Sequence, residues 1–68
     1  MIEITVNGNI SKLDEPTNIN EFLVLKGFEG RSVAVAVNSI VIRRASFSNT
    51  IINDGDVVEI VRPVGGGA

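Results

Sequence analysis

The chain has no cysteine, and it must close a hydrophobic core within 68 residues. Disulfides, iron–sulfur clusters and thiolate zinc sites are therefore excluded as staples. A domain this small buries only about 60% of the surface its unfolded chain exposes. With 44% hydrophobic residues there is material for one core and one domain. Such a core has to be held by regular, well-paired secondary structure.

The apolar pattern supplies it. Ile2, Ile4 and Val6 alternate with Glu3 and Thr5, the period-2 signature of a half-buried strand. Asn7-Gly8 is a strong hairpin signal, and Asn9–Leu13 is the returning strand. Ile10 and Leu13 are out of phase there, which predicts a bulge or an early strand end. Asp14–Thr17, with Pro16, reads as a loop. Asn18 and Glu21 form a capping-box-like pair at the start of a helix over residues 18–26. Ile19, Phe22 and Leu23 make its apolar stripe, and Gly27 sits where a left-handed residue ends a helix.

The second half reads as strands. Ser32–Asn38 is apolar on both parities, with Val33, Val35 and Val37 opposed to Ala34 and Ala36, as in a central strand. Asn38-Ser39 is a turn, Ile40–Ile42 a short strand, and Ala45–Asn49 a single helical turn around Phe47. Thr50–Ile52 is a brief strand, Asn53–Asp56 a tight turn, and Val57–Arg62 the last strand. Pro63 stops pairing there. The order predicts an α+β fold, a mixed sheet of four to five strands covered on one face by one main helix. The first and last strands should lie side by side and parallel in its middle. Phe22, Leu23, Val35, Val58 and Ile60 are the expected core. Residues 1–63 form the single domain and residues 64–68 a flexible tail.

Composition excludes several functions. The net charge is −2 and the sequence pI about 4.8, with no clustered basic face for nucleic acid. Aromatics are 4%, too few for stacking on single strands. No apolar run approaches the roughly 20 residues of a membrane span, and no secretory leader is legible, so a cytoplasmic protein is expected. Without histidine or cysteine, triad and thiol catalysis are impossible. Asp54 and Asp56 flank Gly55 on a turn, far short of a calcium loop. Gly65-Gly66-Gly67 is followed by neither lysine nor helix, so it is no phosphate loop. No cofactor or metal site is expected.

What remains is the glycine run, which places three of seven glycines within the last four residues. Glycines make a thin strip of backbone that enters a channel too narrow for side chains. An α-carboxylate at its tip is ionised at neutral pH and resists attack. Converted to an acyl adenylate by a partner, it becomes an electrophile that accepts sulfur or an amine. Ordering each glycine costs about 1–2 kcal/mol, which docking of the body must offset. By parity, Val57, Glu59 and Val61 lie on the open sheet face with Ala34 and Ala36, a small apolar patch suited to a partner. Val57, Val61 and Val64 are docking candidates, as are Arg43 and Arg44 for an acidic patch on that partner.

The small size, the helix after the first hairpin, V-A-V-A-V-N at 33–38, D-G-D at 54–56 and V-E-I-V-x-P-V-G-G-G at 58–67 together resemble the ThiS family, the sulfur carriers of thiamine thiazole synthesis. The resemblance covers essentially the whole chain. It implies the ubiquitin-like β-grasp fold and a protein cosubstrate that is not itself an enzyme. It also implies an E1-like adenylyltransferase that uses ATP to activate the terminal glycine. A sulfur donor system such as a cysteine desulfurase would then make a thiocarboxylate for thiazole synthase. The reactive residues would be Gly66 and Gly67, with Gly65 in support. The family ends in glycine, whereas Ala68 follows here, so Ala68 is expected to block or slow activation unless it is removed or foreign to the native end. The small subunit of molybdopterin synthase, with the same fold and terminus, ranks second. A β-grasp binding module with an unactivated tail, and a modifier joined to lysines, are the alternatives from other classes.

Overall fold

The alternation at the start of the chain becomes β1 (Ile2–Val6), which turns at Asn7-Gly8 into β2 (Asn9–Leu13). The structure is a computed structural model and describes residues 1–28 and 33–62. Asn7 and Gly8 have φ of 49° and 85°, the left-handed pair of a two-residue type I′ turn. That turn fixes an unbroken register from Val6 opposite Asn9 to Ile2 opposite Leu13. The expected bulge is therefore absent. Ile10 is out of phase because it lies opposite Thr5 on the outer face, 70% exposed, while Leu13 takes the buried face.

The predicted loop at 14–17 runs into a strand that the sequence did not reveal. β3 (Thr17–Asn18) pairs antiparallel with β6 (Ile51–Ile52) in a separate two-stranded sheet. Two residues are too few to show a period. The helix α1 spans Ile19–Leu25, with Asn18 and Lys26 as its caps rather than within it. The Asn18 side chain accepts from the Glu21 N–H at 2.8 Å. The Glu21 carboxylate accepts from the Asn18 side-chain amide at 3.4 Å, in place of the backbone N–H of a full capping box. At the other end Gly27 has φ 82°. Its N–H donates to Val24 at 3.1 Å and that of Phe28 to Leu23 at 2.8 Å, the paired bonds of a Schellman motif.

β4 (Ala34–Val37) and β5 (Ile40–Ile42) form a second hairpin. Its turn residues Asn38 and Ser39 have φ of 52° and 70°, again left-handed and here without glycine. The predicted helical turn at 45–49 is a 3-10 turn over Arg44–Ser46 that delivers Phe47 to the core. β7 (Val57–Val61) stops one residue short of the predicted end. The sheet order is β2-β1-β7-β4-β5, so β7 is the central strand. It pairs parallel with β1 and antiparallel with β4, as the element order predicts.

One face of this sheet is covered by α1. Ile19, Phe22 and Ile52 are fully buried, together with Val58, and Ile2, Ile4, Leu23, Val35 and Ile60 complete the same core with Phe47. All five residues expected in the core are there. Ser32 and residues 63–68, and with them the predicted tail and Val64, lie outside the described residues.

Candidate functional site

The strand that leads to the glycines is held at its start by the D-G-D turn. The Gly55 N–H donates to the Glu3 carbonyl, and the Glu3 N–H donates to Asp54 Oδ1, both at 2.8 Å. Asp56 accepts the Asn53 N–H at 2.8 Å on one oxygen and the Asn38 side-chain amide at 3.1 Å on the other. Both carboxylates thus serve the turn and bind β7 to β1 and to the β4–β5 hairpin. Among the described residues no three His, Cys, Asp or Glu side chains gather as a metal site.

Further along, the two left-handed asparagines grip β7 from either side. Asn38 donates its N–H to the Val57 carbonyl at 2.7 Å, and its Oδ1 accepts the Val57 N–H at 2.9 Å. Asn7 donates its N–H to the Val58 carbonyl at 2.9 Å. Its side-chain amide then acts as an extra strand residue. Oδ1 accepts the Ile60 N–H at 2.8 Å, and Nδ2 donates to the Ile60 carbonyl at 3.2 Å. These roles were missed in the sequence. Asn at the first position of each turn was visible, but a partner 53 residues away in Ile60 was not.

The open sheet face carries the docking candidates. Val57 and Val61 are 46% and 58% exposed, while Val58 and Ile60 face the helix. By register Val61 lies beside Ala34, and Glu59 beside Ala36, which in turn lies beside Val41. On the other side Val57 neighbours Thr5, and Thr5 neighbours Ile10. Val41 and Ile10 therefore extend the patch beyond the residues singled out in the sequence, and both are exposed. Arg43 and Arg44 are exposed, just beyond β5 and at the start of the 3-10 turn. A separate open groove of about 420 Å³ lies on the helix side, lined by Leu13, Asp14, Glu15, Thr17, Glu21, Val24 and Leu25. No helix among the described residues is long and apolar enough to cross a membrane.

What this geometry offers is a central strand bonded on both sides, an apolar face around it and no catalytic constellation among the described residues. Known proteins are similar in sequence, and two solved structures are similar in fold as well. A crystal structure of the thiamine biosynthesis protein ThiS from Geobacter metallireducens is similar at 39% identity and a TM-score of 0.84, covering 97% of this chain and all of that one. A solution structure of a thiamine biosynthesis protein from the same organism gives 38% identity and a TM-score of 0.75, covering 98% of this chain and 90% of that one. An uncharacterized protein of Porphyra purpurea is 36% identical over 97% of this chain and 93% of its own. A thiazole synthase of Paramagnetospirillum magneticum is 30% identical over 98% of this chain, which spans only 21% of that protein. The model of the ThiS family matches residues 2–67, through the last glycine. The chain therefore belongs to the ThiS family and has its ubiquitin-like β-grasp fold.

Proposed function

We propose that this protein is a sulfur carrier of thiamine biosynthesis whose body is residues 1–63 and whose working part is the tail ending at Gly66-Gly67. The observation that carries the reading is the family match, which runs through Gly67. An E1-like adenylyltransferase docks on the open face around Val57 and Val61, with Val64, Arg43 and Arg44 in support. There, in the form that ends at Gly67, the Gly67 carboxylate attacks the α-phosphorus of ATP and pyrophosphate leaves. The persulfide of a donor system such as a cysteine desulfurase then displaces AMP to give an acyl disulfide, and a thiol of the donor or partner cleaves its S–S bond, leaving the thiocarboxylate on the carrier and a disulfide on the thiol side. ATP is bound by the partner and not by this chain.

Thiazole synthase is the proposed acceptor. The similar segment within the Paramagnetospirillum protein, itself named a thiazole synthase, supports this choice over molybdopterin synthase. The chemistry belongs in the cytoplasm, where ATP and sulfur donors are available. The test is pyrophosphate exchange by the adenylyltransferase with a form ending at Gly67 and a form carrying Ala68. Exchange is expected with the first and at least tenfold less with the second, because a methyl group enters a channel shaped for glycine. No exchange with the Gly67 form would reject the carrier reading. Equal rates would reject only the role given to Ala68.

A further inference from the structure

β7 makes its last strand pairing at Val61, opposite Ala34. Pro63, two residues on, has no N–H and cannot extend the ladder. Arg62 stands between them, and its guanidinium carbon lies 5.5 Å from the centroid of the Phe28 ring. This is a cation–π distance.

Phe28 is itself well anchored. Its N–H closes the helix cap on Leu23 at 2.8 Å, and its ring packs, half-buried, against the core. Two residues earlier, both backbone polar groups of Ile60 are held by the Asn7 side chain. The last described turn of chain is thus gripped on alternate residues, Ile60 by an amide and Arg62 by a ring.

We infer that Arg62 is a positioning residue for activation of the glycine terminus, with its guanidinium on the Phe28 ring fixing the last described residue ahead of that terminus. This rests on the carrier reading above. The contact does not touch the reacting carboxylate. It acts by holding Arg62, from which the terminal residues start, once the body is docked, so its loss falls on kcat and spares KM.

Steady-state pyrophosphate exchange on the form ending at Gly67 tests it, using Arg62→Gln, Arg62→Lys, Phe28→Leu and the double variant Phe28→Leu/Arg62→Gln. Arg62→Gln and Phe28→Leu should each lower kcat about two- to fivefold, the size of an exposed cation–π contact, with KM unchanged. Arg62→Lys should retain most of the rate. The double variant should be no worse than either single one, because both remove the same contact. In proton NMR spectra the Arg62 δ-protons, shifted upfield by the ring, should move to ordinary positions in Phe28→Leu. Unchanged kcat in the Arg62 variants, multiplying losses in the double variant, or a rise in KM alone would each overturn the inference, the last by making Arg62 a contact with the partner. An inert parent form would instead reject the carrier reading itself.

Discussion

Asn7 and Asn38 hold left-handed backbone conformations at φ 49° and 52°, and each uses its side-chain amide on the central strand. Few residues meet both demands. Glycine accepts the backbone but offers no amide, and alanine offers neither. Asn7→Ala loses both bonds to Ile60 and strains the turn, so it should destabilise the domain by about 2–3 kcal/mol. Asn7→Gly should cost only about 1 kcal/mol, since it loses the bonds but keeps the turn. Urea midpoints at unchanged m-value measure both. Equal losses would mean that the clamp alone needs asparagine, and a glycine variant as stable as the parent would mean that only the turn does. A domain of this size has only a few kcal/mol of stability in total, so the alanine variant should unfold noticeably at 37 °C.

At the level of elements, the helix cap and the open sheet face make separate predictions. Gly27 has φ 82° and nothing within 4 Å of where a Cβ would sit. Gly27→Ala therefore carries only the conformational penalty, about 1–2 kcal/mol, read from the thermal midpoint. Val57 is half exposed, so Val57→Asp should leave the thermal midpoint nearly unchanged while weakening binding to the adenylyltransferase at least tenfold. Intact binding would show that the face is idle. Much of this was legible in the sequence. Period-2 alternation in 2–6 and 57–61 assigned faces correctly because one face of the sheet is buried and the other is not. Gly27 announced its own conformation. The Thr17–Asn18 strand was not legible, because a two-residue bridge has no period and its partner, Ile51–Ile52, is distant in sequence. The supposed bulge at Ile10 came from assuming that an isoleucine must be inside, whereas the turn alone fixes its face.

At the scale of the whole molecule, the central strand β7 precedes the glycine run at 65–67, the proposed reactive terminus. The glycine tail was read from composition and elimination, and the lack of histidine and cysteine made that elimination sharp. The clamps on β7 could not be read in this way, since they join turns 53 and 19 residues from their targets. Arg43 and Arg44, both exposed, are the proposed charged contacts with the partner. Reversing both charges should slow association and flatten its salt dependence, measured by stopped flow, and unchanged rates would remove them from the interface. The form ending at Gly67, incubated with ATP, the adenylyltransferase and a sulfide source, should gain about 16 Da in intact mass as one oxygen is replaced by sulfur. An unchanged mass, or the chain appearing on the lysines of other proteins, would contradict the account.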